Sequence, residues 1–275
     1  MRKVYSVLLG LSALFMLVSG GCTREKTSSL QLGIFSWKKE EVENREETFS
    51  LLRENGFTEV YQYFSHDLGE DEIKAFIMEG QKNGIRVYAL IGEPSLARKD
   101  HLEKLQEEIT RVSKWEGLYG IMADIEPYLL EQWKTDATEL MSQYVENMKT
   151  VHAETKLELL VCVPYYYDND HAECLEELVK NGCDGLAVMN YYRKNEAAHI
   201  KTEIELCNRY DKAVINIFEL KKPGTMELQE INTYHGKSIT EATESWEAIR
   251  KECMKEDLGL AFHDLASYRE VTENE

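Results

Sequence analysis

Only four prolines punctuate the 275 residues, and no low-complexity stretch interrupts them, so nothing marks a linker between domains. Positive charge is scarce. The chain carries 32 Lys and Arg against 50 Asp and Glu, a formal charge of −18, and such a surface repels a phosphate backbone, which argues against a nucleic-acid partner. Most of that acidity reads as solvated helix faces. The six cysteines are scattered and include no close-spaced pair suited to zinc. With Cys22 set apart, an odd number remains, and no disulfide framework is implied. A single bridge from Cys174 to Cys183 would suit an oxidising compartment, but buried free thiols are the plainer expectation. No Gly-x-Gly-x-x-Gly turn follows the first apolar run, where Gly33-Ile34-Phe35-Ser36-Trp37 passes straight into Lys38-Lys39. A dinucleotide fold therefore has no support. Phosphate loops are absent too, and no Ser or Cys nucleophile has a base beside it. No cofactor is expected.

One long apolar run exists, Val4 to Val18, preceded by Arg2 and Lys3 and followed by Ser19-Gly20-Gly21-Cys22. It is short for a membrane span of roughly 20 residues and fits an export signal. Small residues directly before a cysteine resemble the lipobox of bacterial lipoproteins, although Ser19 stands where that motif usually has Leu. The resemblance implies cleavage before Cys22, its acylation, and an exported protein held on the membrane with its domain outside the cytoplasm. The expected organisation is a lipoprotein signal peptide over residues 1–21, a polar tether over 22–29 and one domain over 30–275. Loss of Arg2 and Lys3 leaves a charge of −20 on the mature chain. Acyl chains would hold such a protein on a membrane despite its charge, and the expected state is a monomer.

Along the remaining 245 or so residues, short apolar or β-branched runs alternate with helical patterns. The runs are Leu30–Trp37, Glu59–Ser65, Arg86–Gly92, Gly117–Glu126, Leu157–Tyr166, Gly185–Tyr191, Ala213–Glu219 and Gly259–His263. Helices are predicted over Glu46–Asn55, Glu70–Asn83 and Glu173–Asn181, each stopping on an Asn-Gly pair that supplies a left-handed cap. A strand followed by a helical crossover demands a parallel neighbour. Eight repeats in this length match a closed (β/α)8 TIM barrel, typically about 250 residues, better than an open sheet.

In such a barrel the site lies at the carboxyl ends of the strands. The fourth run ends Asp124-Ile125-Glu126, and residues two apart on a strand face the same way. Two carboxyls that close cannot both ionise cheaply. One is pushed to a raised pKa and can act as a general acid, while the other orients it, which is what glycosidic bond cleavage requires. The plainer alternative is a carboxylate pair serving a helix terminus or a cation at the rim.

The segment Tyr119-Gly120-Ile121-Met122-Ala123-Asp124-Ile125-Glu126, together with Met189-Asn190-Tyr191-Tyr192, resembles the chitinase-like family 18 glycoside hydrolases. Their fourth strand carries Asp-Gly-x-Asp-x-Asp-x-Glu and their sixth Met-x-Tyr-Asp. The resemblance implies Glu126 as general acid, Asp124 orienting an N-acetyl group and Tyr191 hydrogen-bonding the acetamido oxygen in substrate-assisted cleavage. Tyr119 and Met122 depart from the pattern by replacing two aspartates, and Tyr192 replaces the substrate-contacting Asp.

A second route to the same bond uses two carboxylates from different strands. Glu219, at the end of the seventh run, is the candidate nucleophile, with pairing to Lys221 or Lys222 as its plainer role and Glu93 as a weaker substitute. Aromatics at the strand ends suit a carbohydrate: Trp37, Tyr61, Tyr63 and Tyr128 in the first half, Tyr165, Tyr166, Tyr167, Tyr191 and Tyr192 in the second. Asn190, His263 and Asp264 are further candidates for substrate contact. His263-Asp264 and His66-Asp67 lack the His-x-His spacing of barrel amidohydrolases, so no metal is expected. The leading expectation is a cell-envelope glycoside hydrolase acting on an extracellular glycan. The alternatives are a barrel that binds carbohydrate without cleaving it, and a metal-dependent amidohydrolase or deacetylase.

Overall fold

A computed structural model describes residues 30–273, so the expected signal peptide, Cys22 and the expected tether lie outside the described residues. Eight parallel strands, β1 (Leu32–Ser36), β2 (Glu59–Gln62), β3 (Arg86–Ile91), β4 (Gly120–Ala123), β5 (Glu158–Pro164), β6 (Gly185–Met189), β7 (Ala213–Glu219) and β8 (Gly259–His263), close in sequence order, with β8 beside β1. This is the (β/α)8 TIM barrel predicted from the alternation.

Outside run the helices α1 (Arg45–Glu54), α2 (Glu70–Lys82), α3 (Leu102–Val112), α4 (Trp133–Glu154), α5 (Ala172–Glu177), α6 (Glu196–Arg209), α7 (Ile239–Glu252) and α8 (Leu265–Thr272). The predicted caps hold at two of three places. Gly56 (φ +75°) and Gly84 (φ +71°) adopt the left-handed conformation after α1 and α2, which glycine alone enters without steric cost. Gly182 does not. There the helix after α5 widens into a π turn over Leu178–Gly182, ending at Cys183 in extended backbone.

Strand alternation divides the core in two. Outward residues such as Ile34, Val60, Val87, Ile121, Leu159 and Leu186 pack under the helices, while inward residues such as Phe35, Tyr61, Tyr88, Leu90, Met122 and Leu160 fill the barrel. Large rings on one side need small residues opposite: a Cβ at Gly33 would overlap the Tyr61 ring, and one at Gly120 the Tyr88 ring. The interior is thus a filled core.

At the amino end of the barrel the inward set turns polar. Glu59, fully buried, pairs with Arg86 and accepts from Tyr61 Oη (2.6 Å) and Gln31 Nε2 (3.2 Å), while Tyr88 Oη donates to Glu158 at 2.5 Å. Burial raises the Glu59 pKa, against the pull of Arg86 and the Tyr61 bond. A buried charge survives only when paired and hydrogen-bonded, as here. The five cysteines from Cys162 onward are all free thiols, so the Cys174–Cys183 bridge is absent; Cys183 is buried beside the Leu178 carbonyl at 3.5 Å. No helix among the described residues is long and apolar enough to cross a membrane.

A carboxylate pair and a histidine relay at the barrel mouth

Asp124 and Glu126 follow β4 and continue its inward alternation past Gly120 and Met122. Asp124 is buried, anchored through its backbone N–H to the Ile91 carbonyl at 2.7 Å, and its Oδ1 has no hydrogen-bond partner. Burial raises its pKa, opposed by His263, by a hydrogen bond from Cys162 and by Lys221. Glu126 is half-buried and accepts the Tyr128 hydroxyl on Oε1 at 2.6 Å. Burial, then the neighbouring Asp124 charge, push its pKa up to about 7. A carboxyl with that value holds and releases a proton near neutrality, as a general acid must.

Across the mouth, Glu219 and His263 are register partners at the ends of β7 and β8. His263 Nδ1 lies 2.9 Å from Glu219 Oε2, and Trp37 Nε1 donates to His263 Nε2 at 3.1 Å. Glu219 Oε1 accepts the backbone N–H groups of Leu220 (2.9 Å) and Lys221 (2.8 Å). Both of its oxygens are therefore engaged by the protein, with three of the four lone-pair sites of a carboxylate filled. Its expected pairing with the Lys221 side chain gives way to another: the ammonium turns to Asp264 at 3.5 Å. Tyr191 stacks on His263 with centroids 6.3 Å apart, and after burial the charges of Glu219 and Asp124 do most to raise its phenol pKa. It sits between the two halves of the site.

Burial lowers the His263 pKa, but the Glu219 hydrogen bond and charge outweigh it and leave the balance above the ordinary imidazole value. The Trp37 bond works the other way, because an indole N–H can only donate and Nε2 must keep its lone pair to accept it. With both hydrogen bonds made, the ring is neutral with its proton on Nδ1; a second proton on Nε2 breaks the Trp37 bond.

Other predicted contacts lie elsewhere. Tyr61 is not at the mouth: its hydroxyl reaches down to Glu59, because the inward alternation places Tyr61 one layer below Tyr63. Tyr63 is at the mouth, 5.9 Å from Trp37. Tyr167 is buried behind the strands and stacks on Trp133 (5.9 Å, 19°), and Tyr165 stacks on His199 (4.4 Å) with Tyr192 nearby. The rings of Tyr166 and Tyr167 lie 6.3 Å and 6.5 Å from that of Tyr128. Asn190 is buried, donating to the Glu196 carbonyl and Asn216 Oδ1 at 2.9 Å each. Asp264 caps α8 through the Ser267 N–H at 3.0 Å. Glu93 is taken by Lys104 at 2.6 Å, and His66 and Asp67 are exposed. Among the described residues no group of three or more His, Cys, Asp or Glu is placed to hold a metal ion. Sequence reasoning missed Cys162 and the two backbone amides that hold Glu219. The inward parity of Cys162 on β5 was the available signal for the first.

No family model and no curated protein matches this sequence. Solved structures do resemble the fold. A GH18 chitinase from Pseudoalteromonas aurantia aligns with TM-score 0.56 at 11% identity, covering 89% of this chain and 100% of its own. The PgaB (BpsB) glycoside hydrolase domain from Bordetella bronchiseptica aligns with TM-score 0.55 at 10% identity, covering 89% and 98%. D-psicose 3-epimerase from Clostridium cellulolyticum H10, solved with D-tagatose, aligns with TM-score 0.56 at 12% identity, covering 86% and 84%. At these identities the likeness establishes the TIM-barrel fold, which glycoside hydrolases share with epimerases.

Proposed function

We propose that this protein is a glycoside hydrolase that cleaves an extracellular glycan, with Glu126 as the general acid. The observation that carries this reading is the placement of Glu126 at the carboxyl end of β4, half-buried, beside a second buried carboxyl and with its pKa raised to about 7. Glu126 would give its proton to the glycosidic oxygen as the C1–O bond breaks, and water would complete the hydrolysis at C1.

The one-acid, substrate-assisted scheme is favoured over a two-carboxylate scheme, because Glu219 already accepts three protein hydrogen bonds. Asp124 would act as acceptor for a substrate acetamido N–H through its unpartnered Oδ1, an arrangement that a buried lone pair favours. Tyr191, set between Asp124 and Glu219, would hold the acetamido oxygen. Two positions depart from the chitinase-like pattern. Where it has aspartates, Met122 packs against Cys162 at 3.5 Å and Tyr119 lies under the Arg86 guanidinium at 4.9 Å, so no carboxylate stands there to relay a proton to Asp124. That loss also favours a second reading, a barrel that binds a glycan without cutting it. We further propose that the mature chain is an envelope lipoprotein, a monomer attached through Cys22.

The deciding experiment compares the parent with Glu126→Gln on chromogenic glycosides and N-acetylglucosamine oligosaccharides. Turnover by the parent and its loss in the variant supports the hydrolase. Equal turnover in both removes Glu126 from the reaction, and binding by both without cleavage assigns the protein to the binding class.

A further inference from the structure

Three adjacent strands place Trp37, His263 and Glu219 in one hydrogen-bonded line at the mouth, with Trp37 just after β1, His263 ending β8 and Glu219 ending β7. Each link has a fixed polarity. The Trp37 indole can only donate, so His263 Nε2 accepts at 3.1 Å; the ring proton then belongs to Nδ1, which donates to Glu219 Oε2 at 2.9 Å. Glu219 is held in turn by the N–H groups of Leu220 and Lys221. His263 is only 12% exposed at its side chain, and Glu219 4%. Little of either side chain is therefore open to a substrate.

Trp37 is different. It is half-buried, and Gly92 opposite leaves room for its six-membered ring. Among the described rings near it, Tyr63 is tilted by 36° and His263 is edge-on at 81°, so none lies flat against the indole. We propose that Glu219 and His263 are positioning residues: they set the plane of Trp37 so that its face is the floor on which a sugar ring stacks. A carbohydrate is the fitting ligand class because its axial C–H face packs on an aromatic plane. The proposal rests on the glycoside reading above and departs from the expectation that His263 touches substrate and Glu219 attacks it.

The relay makes an unusual demand on an isosteric change. In Glu219→Gln the two backbone donors compete for the single carbonyl oxygen, which turns the amide NH2 toward Nδ1. That nitrogen must then accept, the ring proton moves to Nε2, and two donors face each other at Trp37. A side chain two links away therefore loses its hydrogen bond although its neighbours are unchanged in shape. The test is the indole 1H–15N spectrum of the full domain, with the Trp37 signal among four tryptophans assigned by its loss in Trp37→Phe. Glu219→Gln and His263→Phe should both move that signal, whereas His263→Gln, which keeps one acceptor and one donor, should stay nearer the parent. Binding of N-acetylglucosamine oligosaccharides should weaken roughly tenfold in Glu219→Gln, as for one lost hydrogen bond, with kcat at saturation changed less than KM.

An unmoved Trp37 signal in Glu219→Gln overturns the proposal, as does an oligosaccharide affinity and KM equal to the parent's with kcat abolished, the signature of a nucleophile. Where a variant does not fold, the imidazole 15N shifts of the parent decide: a proton on Nδ1 supports the relay and a proton on Nε2 overturns it. The spectroscopic readouts need no turnover. A parent that neither binds nor cuts glycans would defeat the functional reading and the sugar floor while leaving the geometry of the relay separately measured.

Discussion

Tyr128 donates its hydroxyl to Glu126 Oε1 at 2.6 Å. The bond leaves Oε2 to carry the transferable proton, and it favours the ionised form of a carboxyl that burial and Asp124 push the other way. Tyr128→Phe should therefore raise the Glu126 pKa above its value of about 7, and the basic limb of the kcat/KM profile should move up by roughly half to one unit. A limb that moves down would mean that the phenol does not act on the ionised form.

Asp124 acts with the opposite sign. Its charge is the second cause of the raised Glu126 pKa, so Asp124→Asn should bring the limb down toward the ordinary carboxylate value. The buried Oδ1 acceptor stays in the neutral amide but loses its charge, and kcat should fall on the order of 100-fold. Profiles of the two variants displaced in the same direction would contradict this reading.

Stability responds to the same group. The folded pKa of Glu126 lies above its ordinary value of 4.5, so the protonated form is favoured in the folded state. The associated stability is complete below about pH 4.5 and is lost as pH rises through about 7, a difference on the order of 3 kcal/mol. Glu126→Gln mimics the neutral carboxyl and still accepts from Tyr128. Its Tm should equal the parent's near pH 4 and exceed it at pH 9; a Tm difference independent of pH would count against the raised pKa.

At the opposite end of the barrel, Glu59 is fully buried against Arg86. Arg86→Leu leaves that carboxylate unpaired and should cost about 3–5 kcal/mol in denaturant unfolding. Glu59→Gln with Arg86→Leu should recover part of it, since removing both partners avoids the isolated charge. A double variant no more stable than the single one would show that the pair is not coupled.

The strands were legible because inward and outward parity both left marks: the eight runs enclose the eight observed strands, with ends trimmed where side chains leave the sheet. Parity also put Asp124 and Glu126 on one face. It could not say how deep a residue lies, so Tyr61 was expected at the mouth although it fills the layer beneath Tyr63. Strand-end position likewise hid that Asn190 faces the outer helices, bonded to Asn216 and the Glu196 carbonyl. The Trp37–His263 bond joins residues 226 apart in sequence, and only closure of β8 on β1 brings them together. The engagement of Glu219 depends on two backbone amides in the turn after β7, a geometry that side-chain identity does not encode.

The most direct test of the central claim is the pH dependence of kcat/KM on an N-acetylglucosamine oligosaccharide, measured for the parent and Glu126→Gln across pH 4 to pH 9. With Glu126 as the acid, parent activity falls on the alkaline side through a pKa near 7, set by burial and Asp124, and the variant loses activity at every pH. Parent activity that stays flat through neutrality, or a variant that retains the parent's rate, would contradict it.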